Sequence, residues 1–157
     1  MFHDDQHGTA IVTLAALINA AKLKECKIED MKVVVNGAGA AGITIAKLLV
    51  DYGVKEMIIC DSKGAIYEGR EEGMNKEKIE VSKITNSKKK KGNLEEMVEG
   101  TDVFIGVSVA GALKKEWLKK MNKDCIIFAM TNPDPEILPE EAHEAGALIY
   151  GSGRSDY

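Results

Sequence analysis

The chain has 157 residues, of which 45% are hydrophobic and 29% charged, and its formal net charge is −4. These values are typical of one soluble globular domain that is long enough to bury a core. The acidic balance argues against a nucleic-acid-binding protein, since such proteins usually carry a basic face.

Apolar runs of strand length alternate with segments of helical spacing along the chain. The strands are apolar throughout, as expected for a parallel sheet that is covered on both faces. The alternation predicts a single α/β domain with a doubly wound, mostly parallel sheet, which is the Rossmann-type dinucleotide-binding fold. The predicted elements are helix 9–23, strand 32–35, helix 40–52 ending at Gly53, strand 57–60, a loop over 64–75, helices 76–84 and 94–98, strand 103–107, helix 114–121, strand 126–129, helix 139–145 and strand 148–150.

Metal-capable side chains gather just before the first predicted helix, in the segment His3-Asp4-Asp5-Gln6-His7. Oxygen ligands of this kind suit a hard cation such as Mg²⁺ or Mn²⁺. The segment lacks the H-E-x-x-H spacing, however, and acidic residues before a helix also cap it and complement its dipole. The residues alone leave both interpretations open.

The segment Gly37-Ala38-Gly39-Ala40-Ala41-Gly42 matches the G-x-G-x-x-G pattern. It lies between a predicted strand and a predicted helix, which is the context that a dinucleotide-binding loop requires. The first glycine allows a tight turn, the second lets the backbone approach a pyrophosphate, and the third lets the helix pack closely on the strand. We therefore predict that Gly37, Gly39, Ala40, Ala41 and Gly42 bind the cofactor, with its phosphates at a helix N-terminus.

Asp61 ends the next predicted strand, about 20 residues after the glycines, where a carboxylate can accept hydrogen bonds from the adenosine ribose. A carboxylate there would repel the 2′-phosphate of NADP, although Lys63 could soften that repulsion. This pattern favours NAD modestly over NADP. The alternative is a tight turn followed by an ordinary surface aspartate.

Two further segments should reach the same edge of the sheet, where ligands bind beyond the carboxyl ends of parallel strands. Ser108 follows one predicted strand, and small residues there would leave room for the cofactor. Asn132 follows another, and its amide could bind a carboxylate or the nicotinamide amide. A plain loop for Ser108 and a routine Asn-Pro turn for Asn132 are equally consistent with the sequence.

The cysteines and the lysine run bear on the environment of the protein. Cys26, Cys60 and Cys125 are odd in number and widely spaced, which argues against a disulfide framework or a zinc site and favours a reducing compartment. The run 88–91 consists of four lysines among Ser, Asn and Gly, which favours a solvated loop over a phosphate-binding patch. No apolar stretch is long enough to span a membrane. We expect a cytoplasmic protein with no membrane or nucleic-acid partner.

Five segments carry a family resemblance across nearly the whole chain. They are Phe2-His3-Asp4-Asp5-Gln6-His7-Gly8-Thr9-Ala10, the glycine loop, Asp102-Val103-Phe104-Ile105-Gly106-Val107-Ser108, Asn132-Pro133-Asp134-Pro135-Glu136 and Gly153-Arg154-Ser155-Asp156-Tyr157. In this order they resemble the malic enzymes, particularly the bacterial type. The first and last segments are far more specific than the glycine loop.

The resemblance implies an enzyme that oxidises malate with NAD(P)⁺ and decarboxylates it to pyruvate and CO₂. By that resemblance, Asp5 ligates the divalent metal, Mg²⁺ or Mn²⁺, and Asp4 is a catalytic-site aspartate associated with the catalytic lysine. Asn132 matches a contact to substrate and cofactor, and Thr9 matches a cofactor neighbour. Gly39 to Gly42 and Asp61 match cofactor contacts.

The sequence also departs from the family. The family's catalytic tyrosine and lysine, and a Glu-Asp pair of metal ligands, come from an N-terminal domain without a counterpart in residues 1–157. We therefore expect an isolated NAD(P)-binding domain that does not turn over malate and that self-associates as a homo-oligomer through apolar surface left uncovered. The alternatives are the cofactor domain of another hydroxy- or amino-acid dehydrogenase and an NAD-binding regulatory module.

Overall fold

A computed structural model describes residues 4–23, 25–61, 63–86, 88–107, 114–122, 125–129, 137, 139–144, 146–147 and 149–152. Its centre is one six-stranded sheet with the strand order β3-β2-β1-β4-β5-β6. All neighbouring strands pair in parallel except β3, which is antiparallel to β2. The strands are β1 (Lys32–Asn36), β2 (Glu56–Asp61), β3 (Gly64–Ala65), β4 (Val103–Gly106), β5 (Ile126–Ala129) and β6 (Ile149–Ser152).

Helices cover both faces of this sheet, so the predicted doubly wound α/β fold is confirmed. Successive residues of β1 show the two faces, since Val33 and Val35 belong to one apolar cluster and Val34 to the other. Leu17 and Ile45 complete the first cluster from two helices. The helices are α1 (Asp4–Leu23), a 3-10 helix (Ile28–Asp30), α2 (Ala40–Tyr52), α3 (Lys76–Ser82), α4 (Leu94–Val98), α5 (Lys115–Leu118) and α6 (Pro139–Glu144).

Several predicted boundaries are wrong. Helix α1 includes Asp4–Leu23 rather than starting at residue 9, so Asp4 and Asp5 lie within the helix. The predicted loop 64–75 contains strand β3, which pairs with the end of β2 and is held from its other side by a hydrogen bond from Ala65 N to Gly92 O. Helices α3 and α5 are shorter than predicted, and β6 extends to Ser152 instead of ending at Tyr150.

The strand order places a topological switch point at β1. This strand pairs with β2 on one side and with β4 on the other, so the connections leave it in opposite directions. In open α/β sheets, such a point opens a crevice beyond the carboxyl ends of the strands, where ligands bind. No helix in the described part of the chain is long and apolar enough to cross a membrane.

Candidate functional site

The connection from β1 to α2 forms the centre of the crevice. Gly37 has a φ of 125°, a conformation that residues with a Cβ rarely adopt, and its amide donates to the carbonyl of Cys60 at 2.8 Å. A Cβ on Gly42 would lie 1.7 Å from the Gly37 carbonyl oxygen. The loop and the first turn of α2 are therefore in backbone contact, as predicted for the first and third glycines.

Gly39 occupies a different environment. It is the N-cap of α2 and is exposed, and a Cβ built on it would meet nothing within 4 Å. Its lack of a side chain is not required by the protein's own packing, so it leaves a free volume in front of the helix. Among the described residues no side chain caps α2, so none of them competes for the amides of its first turn. The site thus offers bare N–H groups to an anion, which fits the pyrophosphate of a dinucleotide.

Asp61 ends β2 beside this crevice and is held by a dense set of donors. One carboxylate oxygen accepts from the Lys63 amide at 2.9 Å and from the Arg70 guanidinium at 3.0 Å. The other accepts from Arg70 and, at 2.8 Å, from the ammonium group of Lys78. The Asp61 side chain is only 9% exposed. It is therefore a partly buried, paired carboxylate and not an ordinary surface aspartate.

These contacts determine the ionisation of Asp61. Burial alone would raise the pKa of its carboxyl group, but the hydrogen bonds from Arg70, Lys78 and the Lys63 amide outweigh burial and lower the pKa from 3.8 to about 2. The same pair raises the pKa of Arg70. The neighbouring thiol of Cys60 is buried, and burial together with the Asp61 charge raises its pKa to about 12. Asp61 is thus anionic and Cys60 a neutral thiol near pH 7.

The sequence pointed to Lys63 as the cation near Asp61. It did not identify Arg70 and Lys78, whose side chains bind the carboxylate. The Lys63 ammonium group pairs with Glu72 at 2.9 Å, and only its backbone amide reaches Asp61. The charge of Asp61 is instead compensated by cations nine and seventeen residues further along the chain. A partly buried acid at the end of β2 calls for such partners, but nothing in their spacing identifies them.

Other predicted site residues cannot be placed against the crevice. Asp4, Asp5 and Thr9 belong to α1, and Ala40 to α2, but their side chains lie outside the described part of the chain, as do Ser108 and Asn132 entirely. Ala41, in the first turn of α2, is partly buried. Among the described side chains, no group of three or more His, Cys, Asp or Glu residues could hold a metal ion.

Comparison with known proteins matches residues 6–154 to a family model described as "Malic enzyme, NAD binding domain". The chain is 62% identical over 157 residues to the "Bifunctional malic/malolactic enzyme" of Bacillus subtilis (strain 168), covering all of this chain and 38% of that protein. It is 44% identical over 160 residues to the "NADP-dependent malic enzyme" of Escherichia coli (strain K12), covering all of this chain and 21% of that protein.

A solved structure agrees with these matches. The crystal structure of the NAD-dependent malic enzyme from Thermotoga maritima superposes with a TM-score of 0.95 and 53% sequence identity. The superposition covers 98% of this chain and 41% of that one. The chain therefore spans about two fifths or less of the lengths of these relatives, and it shares the fold of the Thermotoga maritima structure over nearly its whole length.

Proposed function

The chain belongs to the malic enzyme NAD-binding domain family, and we propose that it is the dinucleotide-binding part of a longer NAD(P)-dependent oxidoreductase. We propose further that the parent enzyme oxidatively decarboxylates malate to pyruvate and CO₂. The family membership favours this function over the cofactor domain of another hydroxy- or amino-acid dehydrogenase. The alternative of a regulatory module that only senses NAD would share the same crevice but would lack turnover.

One observation carries the cofactor assignment, namely the free volume at Gly39. A Cβ on Gly39 would meet no described protein atom within 4 Å, whereas at Gly37 and Gly42 a Cβ would approach protein atoms within about 3 Å or less. The pyrophosphate would lie in front of α2 and accept hydrogen bonds from the amides of its first turn. Gly37 and Gly42 hold this loop in shape, and the bound dinucleotide supplies the hydride acceptor.

The contacts of Asp61 bear on the choice between NAD and NADP. A carboxylate has about four acceptor sites, and all four are in use by Lys63, Arg70 and Lys78. A ribose hydroxyl must therefore share or replace one of these donors, and Lys78 is the most accessible, with its side chain 17% exposed. With its charge compensated, Asp61 alone is a weak barrier to a 2′-phosphate. We propose that the site accepts both dinucleotides, so that the preference for NAD expected from Asp61 is small.

The remaining assignments rest on the family. Asp5 would supply one oxygen ligand to Mg²⁺ or Mn²⁺, whose Lewis acidity would polarise the C2 oxygen of malate. Asp4 would lie beside the catalytic lysine, and Asn132 would contact substrate and cofactor. Ser108 and Thr9 would border the cofactor. One aspartate leaves a divalent metal short of ligands, so the other ligands and the general base must come from outside this chain.

The same reasoning gives the expected state of the chain by itself. We propose that it binds the dinucleotide without turning over malate. Exposed apolar side chains on α1, namely Ile11, Val12 and Leu23, are consistent with self-association into a homo-oligomer. Cys60 is a buried free thiol, Cys125 is also buried and Cys26 is exposed, which agrees with the reducing conditions of a cytoplasmic protein.

Isothermal titration calorimetry of the 157-residue chain with NAD and with NADP tests the proposal. Both dinucleotides should bind, and Gly39→Val should abolish binding because its side chain would fill the free volume at the loop. Circular dichroism of that variant should show an unchanged fold, since the added atoms meet no protein atom at Cβ. Unchanged affinity in a folded Gly39→Val variant would refute the cofactor assignment.

A further inference from the structure

A second cavity lies at the opposite edge of the sheet from the glycine loop. It lies at the amino ends of β1 and β2, where Lys32 and Glu56 begin these strands, and beside residues 99–101 before β4. Its volume is about 90 Å³, roughly the share of three water molecules in the liquid. Strand β1 separates it from the glycine loop by about 15 Å, since a strand rises about 3.3 Å per residue. It is therefore distinct from the proposed cofactor site.

The cavity has an apolar floor and a charged mouth. Ile58 and Met97 line it, and both pack in the apolar cluster on one face of the sheet. The mouth carries the exposed side chains of Lys32, Lys88 and Lys90, together with Glu56 and Glu99 as the anionic groups that line it. The lining side chains therefore carry a net positive charge, and Lys89 adds another cation next to them in sequence.

The lysine loop at this mouth is held in a defined shape. The Asn86 side chain is buried, donates to the carbonyls of Ile66 at 3.1 Å and Lys90 at 2.9 Å, and accepts from the Lys90 amide at 2.8 Å. Its backbone amide donates to Met57 O at 2.7 Å, which ties the loop to β2. Asn86 and Lys89 both have positive φ, at 49° and 52°. Such backbone costs free energy in residues other than glycine and persists only where surrounding contacts enforce it.

Three lysines at the mouth have ammonium groups that no described residue binds. Within the described ranges, the ammonium groups of Lys32, Lys88 and Lys90 make no hydrogen bond or ion pair. Lys91, by contrast, lies over the ring of Tyr67, 5.1 Å from its centroid, and faces another part of the surface. The expectation of a merely solvated run thus accounts for the exposure of these lysines but not for the hydrogen bonds of Asn86, which hold Lys90 beside a cavity.

We propose that this cavity binds a small organic anion, with its charged group at Lys32, Lys88 and Lys90 and its hydrocarbon part on Ile58 and Met97. A volume of about three water molecules suits a short hydrocarbon chain, with the charged group outside at the mouth, as in a four-carbon carboxylate. An anion with no apolar part would leave the floor empty, and a neutral ligand would leave the lysines without a partner. The apolar floor and the lysines together therefore indicate an anion that also has an apolar part.

The test is a titration followed by ¹H–¹⁵N NMR, with sodium butyrate as the probe. Its neutral analogue n-butanol and inorganic phosphate are the matched ligands. Butyrate should shift the amide signals of Asn86, Lys90 and Gly100 saturably, and both matched ligands should bind about tenfold more weakly or not at all. If n-butanol bound as tightly as butyrate, the site would be an apolar pocket in which the lysines have no role. Equal binding of phosphate would reduce it to a nonspecific basic patch, and either result would overturn the proposal.

Variants make the assignment residue-specific. Lys88→Gln combined with Lys90→Gln should weaken butyrate binding about tenfold, because each exposed cation contributes a modest share. Lys119→Gln, which removes an exposed lysine at the end of α5, is the matched control and should have no effect. Both lysines are exposed, so the double variant should remain folded. Undiminished affinity in the double variant, or an equal loss in the control, would also overturn the proposal.

Discussion

Both terminal nitrogens of Arg70 bind the carboxylate of Asp61, one at each oxygen. The same guanidinium also donates to the carbonyls of Gly64 at 3.3 Å and Ala65 at 3.2 Å, so it joins the end of β2 to β3. The two side chains are 6% and 9% exposed. Arg70 therefore compensates the charge of Asp61 and also fixes its position beside the proposed cofactor site.

Replacing Arg70 should destabilise the fold because it leaves a partly buried carboxylate with fewer partners. We expect Arg70→Gln to lower the free energy of unfolding by about 1 to 2 kcal/mol at pH 7, measured by urea denaturation. The pKa of Asp61 should rise in the same variant, which the ¹³C signal of its carboxyl group would report. Lys63→Gln is the control, since it removes only an exposed pair with Glu72 and should change little. Equal losses in the two variants would contradict the role given to Arg70.

Acid should remove the stabilisation that Asp61 provides. The pKa of its carboxyl group is about 2 in the folded chain and 3.8 without these partners. Its contribution is therefore complete above pH 3.8 and is lost as the pH falls towards 2, by about 1 to 2 kcal/mol. Urea denaturation of the original chain and of Asp61→Asn between pH 5 and pH 2 would measure this contribution. The stability difference between them should narrow with acidification, and parallel curves would contradict the prediction.

Gly39 precedes α2 and Gly42 lies in its first turn. Substitution by alanine should change the stability of the protein differently at the two positions. A Cβ at position 42 would overlap the Gly37 carbonyl, whereas one at position 39 would meet open space. We expect Gly42→Ala to lower the free energy of unfolding by about 3 kcal/mol or more, and Gly39→Ala by about 1 kcal/mol at most. Thermal denaturation of the two variants gives the comparison. If both were equally stable, the close contact between the loop and α2 would be wrong.

Lys78 should affect NADP binding more than NAD binding. It is the most exposed side chain that donates to Asp61, and a 2′-phosphate beside that carboxylate would attract its ammonium group. Lys78→Gln should weaken NADP binding about tenfold and change NAD binding by about twofold or less, measured by calorimetry. Lys76→Gln, on the same helix but without a contact to Asp61, is the matched control. An equal effect on the two dinucleotides would exclude Lys78 as a discriminating residue.

The two capping side chains at the start of α4 should stabilise this helix cooperatively. Asn93 accepts from the Glu96 amide at 3.0 Å, while the Glu96 side chain accepts from the Asn93 amide at 3.1 Å. Asn93→Ala should lower the free energy of unfolding by about 1 kcal/mol. Because the two contacts support each other, the loss in the double variant with Glu96→Ala should be smaller than the sum of the two single losses. Additive losses would show that the contacts are independent.

The sequence by itself determined the features that depend on local pattern. Helices 40–52 and 94–98 and strand 126–129 were predicted with their observed bounds, and Gly53 ends α2 with a φ of 129° as expected of a C-terminal glycine. The glycine pattern between a strand and a helix identified the loop for the same reason, since each glycine acts within a few residues of its own position. The strands of a parallel sheet are apolar throughout because both faces of the sheet are covered. This pattern in the sequence therefore predicted the parallel sheet.

Only the tertiary structure decided which side chains meet. Strand β3 forms because the chain after Asp61 turns back against β2 and against Gly92, and neither partner is apparent from two small residues. Arg70 and Lys78 reach Asp61 from a loop and a helix whose spacing has no periodicity, and Asn86 brings the lysine loop to the far edge of the sheet. Local sequence sets backbone preference and periodicity, whereas pairing of distant charges depends on how the chain closes.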